Sequence, residues 1–179
     1  MNNNQKTGRL ALAGVFSTLA LVFLLFTYIP TATIALAAVA ALCGVPVVVE
    51  LGMKSGLLHY AAVAVLAVLI AFTAEGTGLY IAFFGWYTVF KAWIEGKNLP
   101  RAAEWTVKIA VFAVAIAAYG AAWIFLLHMP LPEWFTLWML PVFAVALCAV
   151  FAVYDVGLTR MVSVYIHRIR PKISNIFRF

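Results

Sequence analysis

No charged residue occurs between Arg9 and Glu50. A helix crossing roughly 30 Å of hydrocarbon needs about 20 mostly apolar residues, and a charge near its middle costs several kcal/mol. The first uncharged run is too long for one such helix, and Pro30, in Thr27-Tyr28-Ile29-Pro30-Thr31, divides it into a span near 9–29 and another near 32–52. The same criterion predicts a third span near 56–74 and, after a turn at Glu75-Gly76-Thr77-Gly78, a fourth from Leu79 to Glu95. A fifth near 105–128 and a sixth near 134–160 flank the proline-rich connector His128-Met129-Pro130-Leu131-Pro132-Glu133. The fourth is short, so Lys91 is expected to snorkel and Trp93 to sit at the headgroups. Composition excludes a soluble globule: with 66% hydrophobic residues, 10% charged residues and a mean hydropathy of +1.06, the chain has too few charges to cover its own surface.

All 12 Lys and Arg fall on one side of this six-span arrangement. Lys6 and Arg9 precede the first span, and Lys54 lies in the second loop. Lys91, Lys97, Arg101 and Lys108 surround the fourth loop, and Arg160, Arg168, Arg170, Lys172 and Arg178 follow the sixth span. The opposite loops carry none, so the positive-inside rule places both termini in the cytoplasm. The expected fold is therefore all-α: a polytopic membrane protein with six transmembrane helices in residues 1–160 and a basic amphipathic cytoplasmic tail in 161–179. That tail alternates apolar and basic residues and is expected to lie on anionic lipid. The net charge of +6 reads as a membrane-side collar, and nucleic acid is not an expected partner. A cleaved signal peptide with Ala35-Leu36-Ala37 at its end is the weaker reading of the N-terminus, because the apolar core is longer than the usual 7–15 residues.

Ionisable residues in the spans resolve mostly as pairs four apart: Glu50/Lys54, Lys91/Glu95 and Glu104/Lys108. Asp155 has no such neighbour and is expected to meet Lys108 or Arg160, or to take part in coupling. Catalytic constellations are not found. There is no Gly-x-Ser-x-Gly, no His-Glu-x-x-His and no His/Cys/carboxylate cluster with metal-ligand spacing; His59 is placed at a loop edge, and Ser55 four residues before it is read as coincidence. The chain is read as a non-enzyme without metal or cofactor. With no Walker loop in the sequence, any energy is expected from an ion gradient or a partner. Cys43 and Cys148, both inside apolar runs, are expected to be buried thiols.

Two surfaces are candidates for function. On the outer side Tyr28, Thr31, Thr33, Glu75, Thr77, Tyr80, His128, Glu133 and Trp134 supply aromatic walls and a few hydrogen-bonding groups for a small-molecule ligand, although an interfacial aromatic belt puts such residues there as well. In the first span Ala13/Ser17 and Gly14/Thr18 form small-xxx-small stripes, repeated by Gly52/Gly56, that suit either packing within the chain or docking of another membrane subunit.

The segment Phe83-Phe84-Gly85-Trp86-Tyr87-Thr88-Val89-Phe90-Lys91-Ala92-Trp93-Ile94-Glu95, together with Glu104-Trp105-x-x-Lys108 and Tyr154-Asp155-x-x-Leu158-Thr159-Arg160, resembles bacterial membrane proteins grouped with the substrate-binding S components of energy-coupling factor transporters. The resemblance spans nearly the whole chain. It implies a vitamin-like micronutrient bound in an outward pocket, and import powered by a transmembrane coupling subunit and two cytoplasmic ATPases in a bacterial cytoplasmic membrane. It also implies that the stripe of Ala13 and Ser17, with Gly14 and Thr18 adjacent, faces the coupling subunit. A non-transporting membrane scaffold of the same fold is the alternative, and a stand-alone carrier or enzyme with a hidden polar cluster is a third.

Overall fold

The structure is a computed structural model describing residues 3–71, 75–97, 99–126 and 137–171. It is an all-α bundle of six helices. We label them α1 (Asn3–Phe26), α2 (Thr33–Leu51), α3 (Met53–Ala71), α4 (75–95), α5 (101–126) and α6 (Pro141–Ile169). All but α4 are long and apolar enough to cross a membrane. The chain is thus a multi-pass membrane protein, and His128, Glu133 and Trp134 lie outside the described residues.

The helix boundaries follow from local chemistry. Pro30 opens a single 3-10 turn, Pro30–Ala32, between α1 and α2. Carbonyls freed there are partnered by threonines: Thr27 Oγ1 donates to Leu24 O at 2.5 Å, and Thr33 Oγ1 to Thr27 O and Ile29 O, each at 3.3 Å. In a bilayer such groups have no water to turn to. α2 breaks at Cys43 because Pro46, four residues after Leu42, has no N–H to offer the Leu42 carbonyl. α2 ends at Gly52, whose φ of 85° is a conformation glycine adopts without strain.

The fourth helix departs from expectation. Glu75-Gly76-Thr77-Gly78 is not a turn but the first turn of α4, which is therefore not short. Its glycines serve close approach instead of chain reversal: a Cβ on Gly76 would collide with Thr27, and one on Gly78 would lie 2.9 Å from the Tyr119 ring. A π turn at Tyr80–Phe84 joins Glu75–Leu79 to Gly85–Glu95. Around it, Tyr80, Phe83, Phe84 and Tyr87 are all buried.

Phe83 is the hub of the core, with ring centroids of Tyr87 at 4.7 Å, Phe112 at 5.0 Å and Phe151 at 5.9 Å, so one side chain ties α4 to α5 and α6. Phe112 and Phe151 stack at 4.7 Å. Lipid tails are as apolar as leucine, so van der Waals contact of this kind, together with small residues at helix crossings, holds the bundle. Gly56 is one such crossing: a Cβ there would strike Val48 of α2 and lie 3.1 Å from Val89 of α4. α6 packs along its second half only. From Pro141 to Val150 every side chain except Leu147 is exposed, Cys148 included, contrary to the expectation of a buried thiol; Cys43 is buried. α6 continues unbroken through Arg160 to Ile169.

Candidate functional site

The bundle has two chemically distinct ends. At one end α2, α4, α5 and α6 leave a cleft of about 880 Å³ between them. Thr31, Thr33, Ile34, Ala35 and Ala38 line it from the α2 side, Glu75, Leu79 and Phe84 from α4, Tyr119 from α5, and Val150, Val153 and Tyr154 from α6. The cleft exists because the first half of α6 stands away from the core while its second half is anchored by Phe151 and Tyr154 against Phe83 and Phe84. Phe84 and Tyr154, 4.8 Å apart edge-to-face, form its inner wall.

Of the expected ligand residues, three come together: Thr31, Thr33 and Glu75. Thr33 has its hydroxyl bonded to backbone, whereas Thr31 and Glu75 are exposed. Tyr28 is exposed at the same end but is not part of the cleft wall. Thr77 and Tyr80 are buried beneath the surface; Tyr80 packs on Tyr60 and over Gly85, and Thr77 Oγ1 has no hydrogen-bond partner among the described residues. Phe84, Tyr119 and Tyr154 were missing from the expected set. Each lies on the inward stripe of its helix, visible only once the helices are assembled.

At the opposite end Lys91, Lys108 and Asp155, each 3% exposed or less, bring α4, α5 and α6 into one ion network. Asp155 Oδ1 accepts from Lys91 Nζ at 2.7 Å and from the Tyr87 hydroxyl at 2.7 Å, and Lys108 Nζ stands 3.4 Å away. Lys91 also pairs with Glu95 at 2.6 Å, and Lys108 with Glu95 at 2.8 Å and Glu104 at 2.5 Å. The pairs Lys91/Glu95 and Glu104/Lys108 form as their spacing implies, and Asp155 meets Lys108 as one of its expected partners. Lys91, however, does not snorkel: it turns inward because Asp155 offers a buried carboxylate. The network holds three carboxylates and two ammonium groups, and the half-exposed Glu95 connects it to the bundle end.

Glu50 does not pair with Lys54. The break at Gly52 removes the helical register between them, and Glu50 instead receives the Tyr165 hydroxyl of α6 at 3.4 Å and, just past the end of α6, Arg170 Nε at 2.9 Å. His59 is not at a loop edge but buried in α3, with Nδ1 2.8 Å from Ser17 Oγ of α1 and Nε2 without a hydrogen-bond partner among the described residues. The pair that forms is thus Ser17/His59, not Ser55/His59. Ser17 and Ala13 line a groove between α1 and α3 of about 570 Å³. Gly14 and Thr18 are exposed, and a Cβ on Gly14 would meet nothing within 4 Å.

Fold and cleft together define a polytopic helical membrane protein with a ligand-sized opening at one end of its bundle. Compared with family models, with curated proteins and with solved structures, the chain matches none.

Proposed function

We propose that the protein is the substrate-binding membrane subunit of an importer of the energy-coupling factor type, taking up a small vitamin-like molecule. The cleft carries this reading: its volume of about 880 Å³ lies in the range of small-molecule sites, and its wall is mostly apolar with a few convergent polar groups. The concentration of basic residues at the other end supports a cytoplasmic placement for that end and an outward-facing cleft. Ligand then enters among Thr31, Glu75 and Tyr119, and release to the cytoplasm requires movement that a coupling subunit and its ATPases supply. Anionic lipid holds the basic end.

Native mass spectrometry of the tagged chain purified from its source membrane tests this. A complex with a transmembrane subunit and ATPases, and a small molecule lost on Ala35→Trp, is the expected result. A chain recovered alone from gently solubilised membranes, with nothing bound, refutes it. The scaffold reading rests on the exposed Gly14 and Thr18; it predicts that Gly14→Leu dissolves a complex that Ala35→Trp leaves intact.

A further inference from the structure

We propose that the cleft selects an organic cation, an ammonium group on an apolar body, with Glu75 as its counter-ion; this rests on the reading of the cleft as the ligand site. Among the described residues Glu75 is the one charged side chain in the cleft wall. The sequence contains no Lys or Arg in residues 10–53, 55–90 or 109–159, so none comes from any helix segment that frames the cleft. The nearest ammonium groups along α4 and α5, Lys91 and Lys108, lie behind Phe84 and Tyr154 and are held by Asp155, Glu95 and Glu104. An anionic ligand would therefore give up its hydration without meeting a positive group, at a prohibitive cost.

A cation finds the reverse. The carboxylate of Glu75 stands at the exposed rim, and the wall includes Tyr119, Phe84 and Tyr154, aromatic side chains of the kind that attract ammonium groups. Leu79, Val150 and Val153 supply contact for an apolar body. Tyr119 is set by Gly78, whose missing side chain lets the ring approach α4 one turn after Glu75. The carboxylate and the aromatic side chains thus border one cleft.

The test uses the full chain in nanodiscs and three probes of similar size: benzyltrimethylammonium, its neutral carbon isostere neopentylbenzene, and phenylacetate. Thermal unfolding is followed against probe concentration. Benzyltrimethylammonium is expected to raise the melting temperature saturably, and phenylacetate to leave it unchanged. Glu75→Gln, an exposed position, is expected to melt like the parent without probe and to bind the cation about tenfold more weakly, while Glu75→Asp retains most of the affinity. Ala35→Trp, which fills the cleft from α2, is expected to abolish the shift. Equal shifts with the neutral or anionic probe, or a cation shift that survives Glu75→Gln, overturn the inference and leave the ligand-site reading standing. A shift that survives Ala35→Trp, or no shift with any probe, overturns both for this cleft.

Discussion

Replacing Lys91 by methionine, which keeps most of the unbranched side chain and removes its charge, is expected to destabilise the bundle severely. At 2.7 Å and an effective dielectric constant of about 20, Lys91 and Asp155 attract by about 6 kcal/mol, but withdrawing each ion from water costs several kcal/mol, so the intact pair contributes little net stability. The asymmetry comes on truncation. Lys91→Met leaves Asp155, 3% exposed, with the Tyr87 hydroxyl and a Lys108 already shared with Glu95 and Glu104, a loss of about 3–5 kcal/mol. Asp155→Asn alone costs less, about 1–3 kcal/mol, because Lys91 keeps Glu95 at 2.6 Å and the cluster becomes balanced in charge. In Lys91→Met/Asp155→Asn the amide oxygen still accepts from Tyr87 and no buried charge is orphaned, so the double variant is expected to lie about 1–2 kcal/mol below the parent. Reversible unfolding in mixed micelles with increasing dodecyl sulfate measures all four species. A double variant at least as unstable as Lys91→Met would show that the two side chains do not depend on one another, and would refute this account of the network.

Gly85→Ala is expected to cost about 1–3 kcal/mol in the same assay, because the added methyl would lie 2.5 Å from Tyr60 and 2.8 Å from Tyr80; Gly120→Ala, with nothing within 4 Å, serves as the control and should change stability by less than about 0.5 kcal/mol. Gly52→Ala forces a side chain into φ 85° and is expected to lose about 1 kcal/mol. Ser17→Ala removes the hydrogen bond to buried His59 and is expected to lose about 1–2 kcal/mol, whereas Thr18→Ala, whose hydroxyl only returns to Gly14 O in its own helix, should be near neutral by the same measurement.

The six helices and the break at Pro30 were legible because charge and proline punctuate an apolar sequence without ambiguity. The beginning of α4 was not, since Gly76 and Gly78 carry the same letters whether they turn a chain or admit Thr27 and Tyr119 to a helix surface. Helical spacing identified Lys91/Glu95 and Glu104/Lys108, which are local, but the choice of Asp155 as a partner of Lys91 depends on how α4 faces α6. Glu50/Lys54 failed for a local reason that Gly52 announces: a left-handed residue between two charges cancels their register. In the cleft, Thr31, Thr33 and Glu75 could be read from their position at span ends, whereas Phe84, Tyr119 and Tyr154 look like any other aromatic in an apolar run until the packing selects them.

The network of Lys91, Lys108 and Asp155 also constrains the order in which the protein can be built. Each of these residues, on a helix alone in lipid, would carry an insertion penalty of up to about 2.5–3.5 kcal/mol. Lys91 and Lys108 each have a carboxylate one turn away on their own helix, Glu95 and Glu104, whereas Asp155, synthesised last, meets its ammonium partners only on α4 and α5. α6 is therefore the dependent helix: α4 and α5 can enter the bilayer already neutralised and joined through Lys108 and Glu95, and the carboxylate of α6 is relieved only when it docks against them.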